Sequence, residues 1–148
     1  MKQDTIQQTE ERVQNGEKVL VKLLKIVARA ILHKYKPTII AITGSVGKTS
    51  TKEAIYSVVR LKHSVRQSTK NYNNEIGVPL SILNCDTANK SIIGWLHVFF
   101  KSITMLLFHD TMYPSYLILE LGADRPGDIV YLRTIINPDI AIITFIFA

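Results

Sequence analysis

A chain of 148 residues is enough for one domain with a real core and little more. Hydrophobic residues make up 47% and charged residues 20%, which excludes a disordered chain and describes an ordinary globular one. The net charge of +6 raises nucleic acid as a partner, but no basic run interleaved with aromatics accompanies it, so none is expected.

A single cysteine, Cys85, excludes an internal disulfide framework and fits a reducing compartment. His33, His63, His97 and His109 form no local metal-binding pair. The first residues, MKQDTIQQTEE, are polar and acidic, unlike a signal peptide, so a cytoplasmic location is expected.

Residues 1–16 read as a frayed tail or a short helix. Over 17–35 the pattern is strongly helical, with Lys18, Lys22, Lys25, Arg29 and His33 forming a basic stripe beside a broad apolar face. Such a helix either packs on the domain with its lysines solvated or lies on an anionic membrane surface as a peripheral contact. Pro37 ends it and starts a strand.

Residues 36–51, KPTIIAITGSVGKTST, carry the chemistry. A β-branched run stops at Gly44, turns through Ser45, Val46 and Gly47, and enters a helix at Lys48. Glycines let backbone N–H groups approach an anion, and the helix N-terminus adds partial positive charge. Lys48 can reach terminal phosphates, and the Thr49 hydroxyl suits a Mg²⁺ bridging them. The spacing is the tight G-x-x-G-K-T form, because Ile42 stands where the longer motif has its first glycine.

The helix after this loop is expected over 48–61, with Ala54, Ile55, Val58, Val59 and Leu61 facing the core. A short strand near 63–67 follows, then the polar run 68–74 and a short helix over 76–83 with Pro79 in its first turn. Residues 92–108, IIGWLHVFFKSITMLLF, are the most apolar stretch but too short and interrupted for a membrane span. A helix buried against the domain is expected there, an exposed docking face being the alternative.

The run 116–121, YLILEL, reads as a strand of a parallel sheet covered on both faces, so the carboxylate of Glu120 needs a partner or a cation. A helix over 127–136 and a strand over 139–144 complete an α/β, P-loop-type fold: a mainly parallel sheet flanked by helices and preceded by an amphipathic helix. Ligands of such sheets sit outside the carboxyl ends of the strands, where Gly44 and Glu120 both fall.

TGSVGKTSTKE, KNYNNEIGVPLSIL and LELGADRPGDI, in that order, resemble the central ATPase domain of the Mur ligases. The resemblance runs over about 36–144, and the second segment points to the branch that adds D-alanyl-D-alanine to a UDP-N-acetylmuramoyl peptide. The loop alone also suits folylpolyglutamate and cyanophycin synthetases. The resemblance implies ATP and Mg²⁺ as cofactors and amide formation through an acyl phosphate in peptidoglycan precursor synthesis. It also implies roles by position. Gly44, Ser45, Val46, Gly47, Lys48, Thr49 and Ser50 would wrap the phosphates, with Lys48 as the catalytic charge. Thr49 and Glu120 would hold the metal. Ser68, Asn71, Asn73 and Asn74 would border phosphate and substrate; on sequence alone a turn-rich loop satisfying its own backbone is the better account of the asparagines, and only the resemblance reverses that. Residues 1–36 would form a tail and helix, and 37–148 the first part of the ATP-binding domain. The family's later lysine, its histidine and its third domain have no counterpart in the sequence, so a truncated or partial ligase is expected, with a non-catalytic nucleotide-binding or membrane-associated remnant as the alternative.

Overall fold

The computed structural model describes residues 2–69, 72–89 and 91–146, with backbone alone for 2–15. Helix α1 (Lys2–Tyr35) is followed by β1 (Thr38–Thr43), α2 (Lys48–Val59), β2 (Val65–Gln67) and α3 (Gly77–Leu83). Then come α4 (Ile92–Leu107), β3 (Tyr116–Glu120), α5 (Asp128–Arg133) and β4 (Ile140–Ile143). The four strands run parallel in the order β2-β3-β1-β4. The expected α/β class is the observed one. The polar start of the chain does not form a separate piece: its backbone continues the helix through Asn15 and Gly16 without a break.

Alternation along the two central strands sorts the core into two layers. Ile39, Ala41, Leu117 and Leu119 point to the face covered by α1, α3, α4 and α5, where Leu24, Ala28, Ile31, Val78 and Leu132 meet them. Ile40, Ile42 and Ile118 point to the other face, against Ile55 and Tyr56 of α2. Glu120 follows Ile118 by two residues and therefore also faces α2. α1 is thus packed on the sheet through one side, as the globular alternative for 17–35 requires.

One expectation about helix faces fails. Ala54, Val58 and Leu61 do not enter the core, and the residue of α2 that does is Lys52. α2 meets the sheet along one side, through Lys52, Ile55 and Tyr56, so apolar residues off that side remain outside. Residues 92–108 form the expected helix against the domain, but along one side only. Val98, Ser102 and Met105 of α4 are fully buried and Trp95, Phe99 and Leu106 partly so, because a single helix laid on a domain hides one side of itself.

Candidate functional site

The end of β1 and the end of β3 are side by side, with Ile42 in register with Glu120. Two bonds hold them there: Leu121 N–H donates to the Ile42 carbonyl (2.8 Å), and Thr43 Oγ1 to the Leu121 carbonyl (3.1 Å). β1 leads through α2 across one face of the sheet, and β3 leads through α5 across the other. The connections diverge here, leaving the crevice that such sheets use for ligands.

The loop from Gly44 to Gly47 bends through positive φ at both glycines, 137° and 87°. A Cβ on Gly44 would collide with Thr144 Oγ1 and the backbone that follows it. Ser45 and Val46 donate their N–H groups to the Phe145 carbonyl at 2.8 and 3.4 Å, which fastens the loop to the exit of β4. Gly47 is the N-cap of α2 and offers no side chain to its first turn. The N–H groups of that turn have no intrahelical acceptor and face outward, and the helix dipole adds positive character to them. Lys48 Nζ lies folded over the loop, donating to the Gly44 carbonyl at 2.6 Å. Ser45, Val46, Gly47, Thr49 and Ser50 are exposed.

Glu120 is 5% exposed, and its carboxylate does face α2. Thr49 Oγ1 donates to its Oε2 at 3.2 Å. Lys52, 1% exposed, places Nζ 3.5 Å from the same oxygen and donates to the Ser68 carbonyl at 2.9 Å. Ser68 Oγ in turn accepts from the Glu120 N–H at 3.0 Å. A buried carboxylate is tolerated only when paired and hydrogen-bonded, and this one is both. The sequence reading missed Lys52. The signal was available: Lys52 follows Lys48 by four residues, one helical turn further along the same side of α2.

The loop of asparagines divides. Asn71 lies outside the described residues. The Asn73 carbonyl accepts from Gly122 N–H at 2.7 Å, tying this loop to the end of β3. Asn74 Oδ1 accepts from the N–H groups of Ile76 and Gly77 at 3.2 and 2.8 Å, so this oxygen caps the start of α3. For Asn74 the self-satisfying turn is what the geometry contains. Beside the loop opens a groove of about 930 Å³, lined by Lys18, Lys22, Lys25, Asn73, Asp124 and Tyr131 among others.

Thr49 and Glu120 offer a hydroxyl and a carboxylate, hard oxygen donors of the kind Mg²⁺ takes. Among the described residues no three His, Cys, Asp or Glu side chains gather into a cage. Two such oxygens beside the uncapped start of α2 fit a Mg²⁺ that takes only part of its oxygen ligands from the protein.

Residues 42–93 match the Mur ligase middle domain. In this part the chain resembles the Mur ligases. Among Mur ligases it is similar to the UDP-N-acetylmuramoyl-tripeptide–D-alanyl-D-alanine ligase of Buchnera aphidicola subsp. Baizongia pistaciae, 36% identical over 121 residues, covering 82% of this chain and 21% of that one. The ligase of the same name from Bacillus subtilis is 32% identical over 121 residues, with 82% and 21% covered. The crystal structure of the Thermotoga maritima MurF ligase in complex with ADP superimposes with a TM-score of 0.62 at 34% identity, over 84% of this chain and 23% of that one. The chain spans about a fifth of the length of the curated Mur ligases it matches.

Proposed function

We propose that this chain supplies the ATP-binding part of a cytoplasmic ligase that joins D-alanyl-D-alanine to UDP-N-acetylmuramoyl-tripeptide. The observation that carries the reading is the uncapped N-terminus of α2, set beside a buried, oriented carboxylate on the neighbouring strand. ADP in the Thermotoga maritima relative supports a nucleotide as the ligand.

In this reading the N–H groups of Gly47, Lys48, Thr49 and Ser50 cradle the β- and γ-phosphates. Lys48 leaves the Gly44 carbonyl for the γ-phosphate, where it offsets charge as the terminal phosphoryl group transfers. An acceptor carboxylate attacks phosphorus and ADP departs, giving an acyl phosphate. The incoming amine then displaces phosphate to form the amide. Thr49 and Glu120 would hold a Mg²⁺, which would supply positive charge to offset that of the phosphates. Lys52 and Ser68 orient Glu120. Contact of 17–35 with an anionic membrane is compatible with this reading through the outward Val19, Leu23 and Ile26, not through the buried Leu24, Ala28 and Ile31.

Calorimetric titration of ATP with and without Mg²⁺ tests the reading. Tighter binding with Mg²⁺ is expected; heats indistinguishable from dilution under both conditions refute it.

A further inference from the structure

The outer surface of α4 is apolar along its whole length. Ile92, Ile93, Leu96, Phe100, Ile103 and Leu107 are each more than half exposed, Ile93 at 80%. Their spacing makes one stripe, on the side of the helix opposite the buried Val98, Ser102 and Met105. Soluble monomers rarely leave a continuous patch of this kind uncovered. The middle-domain match ends at residue 93, so α4 lies almost wholly beyond it.

Charge indicates what covers the stripe. Residues 16–36 and 91–108 together hold seven Lys or Arg and one acid, Glu17, so these two stretches carry the whole net charge of +6. The remainder holds eleven of each sign. α4 contains no Asp or Glu. Its C-terminal carbonyls, which would repel anions, are neutralised: Lys34 Nζ donates to those of Met105, Leu106 and Phe108 at 2.8, 2.9 and 2.6 Å. Ser91 Oγ caps the other end, accepting from Gly94 N–H at 3.1 Å. Both ends of the helix therefore have polar partners that remain when water is removed. On α1, Val19, Leu23 and Ile26 form a second exposed apolar stripe. Leu23 precedes Lys34 by three turns, so this stripe lies on the side of α1 that reaches α4.

We infer that the outward stripes of α4 and α1 seat the protein on an anionic lipid surface, with α4 lying among the headgroups. Among the described residues no helix is long and apolar enough to cross a membrane. A second copy is the poorer occupant, because pairing these faces would oppose two sets of like charges.

The test is co-sedimentation of the full chain with vesicles of phosphatidylcholine alone, or with about a third phosphatidylglycerol. Binding to the anionic vesicles about tenfold tighter than to the neutral ones is expected, weakening with salt. The variant Leu96→Gln/Phe100→Gln/Leu107→Gln should lose about tenfold while its ATP affinity is unchanged. Lys18→Gln/Lys22→Gln should lose roughly fivefold per charge on anionic vesicles, and supplies the test if the first variant does not fold. No pelleting, equal binding to both vesicles, or self-association that the triple variant abolishes in place of vesicle binding would each overturn the inference.

Discussion

Lys52 Nζ stands 3.5 Å from Glu120 Oε2, with both side chains nearly sealed from water. Removing one partner strands the other. Lys52→Met is expected to cost about 3 kcal/mol, the scale for breaking a buried ion pair. Lys52→Met/Glu120→Gln, which leaves no unpaired charge, should cost clearly less than the two single changes summed. Urea denaturation of the four proteins measures this, and strict additivity would mean that the two groups do not stabilise each other.

Lys48 makes its recorded bond to a carbonyl of its own loop, so stability should barely change in Lys48→Ala. Nucleotide affinity should fall roughly tenfold to a hundredfold, the span given by the 1.5–3 kcal/mol of a hydrogen bond to a charged group. Titration calorimetry decides it; unchanged affinity removes Lys48 from the phosphate site.

Thr49→Ala should separate metal from nucleotide. The hydroxyl touches Glu120 and takes no part in the core. Binding of ATP in EDTA should stay as it was, while the gain on adding Mg²⁺ shrinks. An undiminished gain would show that Thr49 is not a ligand.

Gly44→Ala meets two obstacles at once: φ of 137°, which a side chain disfavours, and contact with Thr144 Oγ1. The loop must open to admit the methyl group. A loss of about 2 kcal/mol in stability is expected, together with weakened ATP binding. A variant with native melting temperature and affinity would show that the bend tolerates a Cβ.

Burial pushes the Cys85 thiol above its usual range, with Asp86 adding to the shift while Lys101 and Arg66 oppose it. A raised value leaves less thiolate at neutral pH, so alkylation should be slower than for a free thiol and should accelerate only at higher pH than a free thiol does. Iodoacetamide rates across pH 7–10 give the curve, and a midpoint below that of a free thiol would contradict the burial.

Local chemistry was the legible part of the sequence. The bend at 44–47 announces itself through two glycines between a β-branched run and a helix, and YLILEL announces a covered strand through its apolar character. Glu120 stood out because one acid interrupts that run. What stayed hidden depended on distant partners. A lysine on a helix reads as solvated, and nothing near Lys52 reveals that Glu120, 68 positions later, shares its layer. The asparagines were ambiguous for the same reason: Asn74 spends its oxygen on α3, a turn role that composition cannot separate from ligand binding. In α4 one side is packed and the other exposed, because hydropathy records what a side chain prefers, not whether a neighbour arrives to cover it.

The Phe145 carbonyl, accepting from Ser45 and Val46, acts as a clasp between the bend and the outermost strand. Movement of β4 must therefore tug on the curve that precedes α2, and a ligand that reshapes this curve must strain the clasp in return. Deuterium uptake at Ser45 and at the β4 amides should consequently rise and fall in step, making the sheet's margin a remote gauge of what sits in the crevice.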